Sequence, residues 1–517
     1  MEKHIPVVDL FAGPGGLGEG FSAFKNEQEA YPFKIALSIE KDEIAHKTLL
    51  LRAFFREFRD TYAPDEYYQY LRRQISKEEL FKKYPEQYES AQKSVWLAEL
   101  GNTAFPDDMV DNRIIEAVSD MQNWVLIGGP PCQAYSVIGR SRMKNDNTRN
   151  FEEDHRHFLY KEYLRIVAVH NPLVFIMENV TGILSSEIKG EKIFPKIIND
   201  LQNPCSIFTD FNHALTGSTR YNVHSLVKAA NNGKDLKPAE YIIKAEKYGI
   251  PQKRHRVILL GIREDIDIRP EQLIQSENKV TLSDVILKDL PKLRSGLSKG
   301  EDSYEVWLNA VHDILAYDWM NDDNYNQLLR DEIIAAIKNI SPDMNKGSDF
   351  TAGNVEGIGY GSDWFYDNKL NGVCNHKARK HMITDLYRYL FATCFTKIYN
   401  RSPKLCDFPN SLLPAHKNVE RGVEGKMFSD RFRVQMEEEA STTITSHISK
   451  DGHYYIHPDP SQVRSLTVRE AARLQTFPDN YFFEGNQTQQ YHQVGNAVPP
   501  LLARQIAQIV YKLLTQH

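Results

Sequence analysis

A cysteine set behind two prolines is the first place in this sequence where covalent chemistry is available. Gly128-Gly129-Pro130-Pro131-Cys132-Gln133 follows an apolar run at 124–127, and the prolines fix the backbone that presents the thiol. A cysteine is more often a small buried hydrophobe, yet a rigid polar turn at a strand end suits a nucleophile. Met177-Glu178-Asn179-Val180 ends another apolar run. A carboxyl there can hold or deliver a proton if burial raises its pKa; otherwise it is a surface glutamate. In Tyr248-Gly249-Ile250-Pro251-Gln252-Lys253-Arg254-His255-Arg256-Val257, Arg254 and Arg256 alternate into a strand and so share a face. Two guanidiniums on one face can grip a phosphate or polarise a carbonyl, or they can brace a strand edge.

The fourth constellation is Asp9-Leu10-Phe11-Ala12-Gly13-Pro14-Gly15-Gly16-Leu17-Gly18. A strand ends, glycines let backbone approach a ligand, and a helix begins. Glu40 follows 24 residues after Gly16, at the end of the next apolar run. An acid in that place can take both hydroxyls of a ribose, so the pair points to a nucleotide-type cofactor. The alternative is a tight strand–helix turn followed by a surface glutamate.

These residues need a scaffold that gathers strand ends. Apolar runs at 5–10, 34–39, 124–127, 173–177 and 256–261 read as strands, with amphipathic stretches between them. That alternation predicts an α/β fold: a parallel sheet with helices on both faces, and ligands at the carboxyl ends of the strands. Residues 51–100 are rich in Tyr, Phe, Arg, Lys, Glu and Gln with helical periodicity, and read as a helical insertion of unassigned function. From about 264 to 440 the alternation breaks. Helical stretches at 332–339 and 385–400 and a glycine-rich loop at 347–361 suggest a second domain. Residues 461–517 hold helical patterns joined by a loop, and Thr467 with Glu470 forms a capping box.

Composition sets bounds. At 41% hydrophobic and 26% charged, the 517 residues are globular in type and long enough for two to four domains. Mean hydropathy is −0.50 and no long apolar run occurs, so no membrane span and a cytoplasmic location are expected. The five cysteines are scattered, which fits a reducing compartment. Cys374, His376 and His381 lack the spacing of a metal site, so no metal is expected. The net charge of −6 conceals a basic stretch: residues 370–434 carry twelve Lys/Arg against five Asp/Glu. Such asymmetry fits a nucleic-acid face on an acidic body, or a solvated surface.

Taken in order, DLFAGPGG, GGPPCQ, ENV, QKRHR, RSLTVREAARLQTFPD and QVGNAVPP resemble the DNA cytosine-5 methyltransferase family. The likeness covers about 1–50, 124–262 and 441–517. It implies an S-adenosylmethionine-dependent, Rossmann-like sheet domain with a second, smaller target-recognition domain. The expected division is 1–265 catalytic, with the insertion at 51–100, then 266–460 for target recognition and 461–517 returning to the catalytic domain. The implied activity is site-specific methylation of cytosine C5 in double-stranded DNA, by a covalent Cys132 adduct and base flipping.

By this resemblance, Cys132 attacks carbon 6 of cytosine, Glu178 holds or protonates ring nitrogen 3, and Asn179 orients the loop or the base. Arg254 contacts the base or its phosphate, with Arg256 as its support. For the cofactor, Phe11 packs on adenine, Gly13, Gly15, Gly16 and Leu17 line the methionine end, and Glu40 takes the ribose. Pro130, Leu159, Asn496 and Val498 complete the pocket. The family's acid at the end of the third strand has no clear counterpart here: Glu99 and Asn102 stand at an atypical NTAFPDD stretch, and that contact stays unassigned. Gln133, Ser136, Gly139 and Arg140 are expected on a loop that closes over DNA. Arg379, Lys380, Arg388, Arg431 and Arg433 are candidates for phosphate contacts by charge, and Thr442, Thr443 and Thr445 mark the recognition boundary. The resemblance suggests a monomer whose partner in function, not in physical contact, is a restriction endonuclease. A tRNA methyltransferase and a catalytically dead DNA-binding scaffold are the competing readings.

Overall fold

The computed structural model describes all residues except 1–3, 60–61, 120, 132–154, 189–190, 209–218, 231–235, 323–325, 343, 354–359, 416–418, 426–428 and 517. The chain forms two compact units. The first joins residues 1–63, 81–278 and 497–517; the second joins 64–80 and 279–496. These bounds differ from the three stretches expected from sequence. Residues 64–80 leave the catalytic half for the second unit, and 461–496 belong to the second unit as well.

In chain order the first unit holds β1 (Ile5–Leu10), α1 (Gly16–Ser22), β2 (Phe33–Glu40), α2 (Glu43–Arg56), β3 (Val95–Leu97), β4 (Val125–Gly128), β5 (Val174–Val180), β6 (Tyr221–Ser225), β7 (Ile242–Lys244) and β8 (His255–Arg263). They form one eight-stranded sheet of order β3-β2-β1-β4-β5-β8-β6, with β7 also on β8. Strands β3, β2, β1, β4 and β5 are parallel. Strand β8 runs antiparallel to β5, β6 and β7. The expectation of a wholly parallel sheet is therefore corrected. Between β6 and β8 the described residues form short 3₁₀ turns and β7 rather than a crossover α-helix, and these neighbouring strands pair antiparallel.

The five expected strands are present. Those missed are β3, read as part of an all-helical insertion, and β6 and β7. Strand β3 has only three residues, too few for a periodicity, and it owes its conformation to pairing with Ser38–Glu40 of β2. Val8 and Leu10 of β1, Leu37 and Ile39 of β2, and Leu126 of β4 turn to one face. There they pack with Tyr163, Leu164 and Val167 from the helix His155–His170, as a buried parallel sheet requires. On α1, Gly16 and Gly20 face the C-terminal segment. A Cβ at Gly16 would lie 2.2 Å from the Val498 carbonyl, and one at Gly20 2.4 Å from the Ala503 Cβ. The C-terminal helix Pro500–Thr515 thus completes the first unit from the far end of the chain.

The second unit has short strands and helices. Gly347–Ala352 pairs antiparallel with Gly372–Lys377, and Gly296–Leu297 parallel with Lys380–His381. Helices Tyr304–His312, Gln327–Lys338 and Ile383–Tyr399 enclose Trp307, Ile333, Tyr389 and Phe391. The capping box forms as read: Thr467 Oγ1 accepts from Glu470 N at 3.2 Å, and Glu470 Oε2 accepts from Thr467 N at 2.7 Å. Among the described residues, no helix is long and apolar enough to cross a membrane.

The register of β8 on β5 sets Gly261 opposite Phe175, and a Cβ at Gly261 would lie 2.1 Å from that ring. Gly261→Ala should therefore lower the unfolding free energy by about 1–3 kcal/mol, the usual cost of overpacking. Denaturant titration checks this, and a neutral result would contradict the register.

Candidate active site

Five parallel strands end along one edge, and the sequence motifs sit where four of them end. After β1 the chain turns through Phe11, Gly13 and Gly15, with φ of 56°, 57° and 89°. Glycine adopts that region freely; Phe11 does so at a cost of about 1–3 kcal/mol, which marks a backbone held for a purpose. Glu40 at the end of β2 closes the turn. Its Oε2 accepts from Gly13 N at 2.7 Å, and its Oε1 from the amides of Lys41 and Asp42 at 2.9 and 2.8 Å. Burial raises the Glu40 pKa, and those three amides oppose the rise. Beneath the turn, Asp9 is 1% exposed, and a Cβ on Gly18 would lie 3.0 Å from its Oδ2. Burial pushes the Asp9 carboxyl up to about 8, against the opposing effects of Arg56 and the Gly18 amide.

At the ends of β4 and β5 a second group meets. Val257 pairs with Asn179 and Ile258 with Glu178, so Arg256 and Glu178 are diagonal neighbours on one face. The Arg256 Nε lies 2.8 Å from Glu178 Oε1. Burial lowers the Arg256 pKa, and the Glu178 carboxylate counters it. The sequence placed Arg254 in the site with Arg256 as its support, and the structure sets Arg256 against Glu178. Arg256 reaches the carboxylate, and Arg254 is buried at 2% exposure. Pro251 and the Arg254 N to Gln252 O hydrogen bond (2.8 Å) bend the chain just before β8, so the alternation of faces begins only at His255. Asn179 Nδ2 donates to Pro130 O at 3.2 Å and so ties β5 to the proline turn. A Cβ on Gly129 would lie 2.9 Å from Glu178 Oε2, so only glycine leaves the carboxylate its place. Cys132, Gln133, Ser136, Gly139 and Arg140 lie outside the described residues.

Beyond the ends of β2 and β3 lies a cavity of about 380 Å³, lined by Lys41, Asp42, Leu97, Ala98, Glu99, Asn102 and Phe105. Its size and its mixed lining suit a ring-bearing ligand. Glu99 accepts from Lys41 Nζ at 2.9 Å and from Asn102 Nδ2 at 3.0 Å, and Phe105 meets Trp96 edge-on at 5.6 Å. Sequence reading did not assign Lys41, Phe105 or the contact at Glu99 and Asn102. The signal available was position: Glu99 and Asn102 directly follow β3, once β3 is known to be a strand.

Of the remaining expected residues, Leu17, Pro130 and Val498 are buried within the first unit. Leu159 is buried on the helix His155–His170 and is not part of the cavity lining. Asn496 falls in the second unit, exposed at the end of the helix Gln487–Asn496. Among the basic candidates of the second unit, Lys380 is exposed. Arg379 stacks at 3.9 Å over Tyr491 and donates to Ile448 O. Arg388 is buried on Asp385 and Leu412 O. Arg433 pairs with Asp430, and Arg431 is half-buried. His376 is held between Thr467 Oγ1 and Pro291 O, at 3.0 and 2.9 Å.

A family model described as C-5 cytosine-specific DNA methylase matches residues 100–205 and 220–512. The chain is similar to the type II methyltransferase M.Bpa9945I of Bacillus paralicheniformis, with 32% identity over 99% of each chain. It is also similar to the DNA (cytosine-5-)-methyltransferase M.ApeKI of Aeropyrum pernix, with 26% identity over 75% of this chain and 81% of the other. A crystal structure described as a putative DNA modification methyltransferase encoded within an E. coli prophage shares the fold, with TM-score 0.51, 20% identity and 99% coverage of both chains.

An acid with its pKa raised from 3.8 to about 8 stays protonated in the fold and ionises in the unfolded chain. Its contribution to stability is therefore present below the lower value and is lost as pH rises to the upper one. Asp9→Asn should match the wild type near pH 4 and gain on it progressively up to about pH 8 in thermal melts. A pH-independent difference would contradict a protonated Asp9.

Proposed function

The chain belongs to the C-5 cytosine-specific DNA methylase family, and on that footing we propose that it methylates cytosine C5 within one short sequence of duplex DNA, as the modification half of a restriction–modification system. The observation that carries the reading is the meeting of Glu178, Arg256 and the Asn179-bound proline turn at the edge where the glycine turn also lies. S-adenosylmethionine, when bound, supplies a methyl group activated by a sulfonium. The strained glycine turn and the cavity beyond β3 fit it. Phe11, Gly13, Gly15 and Gly16 would hold its methionine end, Glu40 its ribose, and Glu99, Asn102 and Phe105 its adenine.

The chemistry follows from the weakness of carbon 5 as a nucleophile. Cys132, as thiolate, forms a C–S bond to carbon 6, and ring electron density moves to carbon 5. Glu178 holds a proton at ring nitrogen 3, so negative charge does not build on the base. Arg256 keeps the Glu178 carboxyl aimed, and Asn179 fixes the turn that leads to Cys132. Carbon 5 then takes the methyl and loses its proton to a base, and the C–S bond breaks to return Cys132. Carbon 6 is inaccessible in stacked DNA, so the base must leave the helix to react. The second unit, with residues such as Lys380 and Arg431, reads the target sequence. The enzyme acts as a monomer in the cytoplasm.

Bisulfite sequencing of DNA from cells expressing the wild type should show methylcytosine in one motif, absent with Cys132→Ala. No methylcytosine in DNA from either would overturn the reading. Arg256→Met should lower kcat roughly 10²-fold with cofactor affinity unchanged, the scale of removing one aimed charged donor. Arg254→Met acting at kcat while Arg256→Met does not would restore the roles expected from sequence.

A further inference from the structure

Part of the insertion at 51–100 has a place in the second unit. The chain leaves the first unit after Ala63 and rejoins it at Phe81. The helix Asp65–Leu71 between these points has seven residues, too few to be stable alone. It is ordered by its partners. Tyr67 is 1% exposed and its hydroxyl donates to Asn480 O at 3.2 Å. The Tyr68 hydroxyl donates to Asp367 Oδ2 at 2.8 Å, where Asn480 Nδ2 also donates at 2.8 Å. The Tyr70 hydroxyl donates to Glu484 Oε1 at 2.6 Å, and Lys77 Nζ meets the same oxygen at 2.5 Å. Arg72 donates to Leu370 O at 3.1 Å, and the Arg73 guanidinium lies 4.9 Å over the Phe482 ring.

All these partners fall at 367–370 and 480–484, either side of the strand Gly372–Lys377 and the buried helix Val468–Leu474. The strap therefore adds to the joins that the second unit's own chain makes between these two loops, Asn480 Nδ2 on Asp367 Oδ2 at 2.8 Å and Asp479 N on Phe365 O at 2.9 Å. Three tyrosine hydroxyls, each with an acceptor, specify one seating rather than general apolar contact.

We infer that residues 64–80 are a positioning element of the recognition unit, so that sequence specificity resides in a discontinuous module of 64–80 with 279–496. This rests on the reading that the second unit recognises DNA. Lys77→Glu and Glu484→Lys, each made in the full-length enzyme, should weaken binding of the target duplex about tenfold, because each sets two like charges against each other where an ion pair held the strap. Cofactor affinity should be unchanged, and the double reversal should restore most of the duplex binding. Duplex binding within twofold of wild type in both single variants, or a parallel loss of cofactor affinity, would overturn the inference. Should the single variants fail to fold, chimeras with the Bacillus paralicheniformis relative decide. Exchange of 279–496 together with 64–80 should give an active enzyme with the relative's target, and exchange of 279–496 alone should not. Full activity on the new target from the second chimera would overturn the inference. Active chimeras that both keep the original target would instead defeat the reading that the second unit recognises sequence, and with it the inference.

Discussion

The Glu40 carboxylate joins the end of β2 to the glycine turn after β1, through Gly13 N at 2.7 Å. The parallel register makes this possible. Leu10 pairs with Ile39, so Glu40 stands one residue beyond, level with the turn that follows Leu10. With both carboxylate oxygens engaged by backbone amides, the turn is held in its left-handed conformation at Phe11 and Gly13. That conformation sets the start of α1, and α1 in turn accepts the C-terminal segment at Gly16. The carboxylate is thus a structural clamp on the glycine turn.

The same edge gathers four acids, and each is managed differently. Asp9 is buried and held neutral over most of the physiological range. Glu40 is satisfied by amides, Glu178 by the Arg256 guanidinium and Glu99 by Lys41 and Asn102. Four unscreened carboxylates on one strand edge would repel one another and any oncoming phosphate. Each is instead satisfied or held neutral within the first unit.

The second unit shows how little a charge count says about surface. The helix Val468–Leu474 carries arginines that are almost fully buried. Arg469 donates to the carbonyls of Cys374, Pro478 and Tyr481 at 2.7–3.0 Å. Arg473 is held by Asp289 and Asp479. Arg464 is held at 2.6 and 2.7 Å by the two oxygens of Glu470, the capping-box residue. Guanidinium suits this work because its planar fork can meet several carbonyls at once. Arg379, Arg388 and Arg433 in the basic stretch are likewise engaged within the protein.

The sequence by itself determined the family and the scaffold type. Glycine turns, proline-locked turns and capping boxes are local, so they read directly from neighbouring residues, and long buried strands declare themselves by apolar runs. Legible in this way were β1, the glycine turn, Glu40, the proline turn before Cys132, Glu178 and the Thr467–Glu470 cap. Only the tertiary structure decided what depends on partners distant in the chain. Strand β3 exists because β2 offers an edge to it, and with it came Glu99, Asn102 and Phe105. The contact of Arg256 with Glu178 followed from the register of β8 on β5. Residues 64–80 joined the second unit because their tyrosines find acceptors 299 to 414 residues away. Such acceptors leave no trace in the local pattern of the residues that bind them.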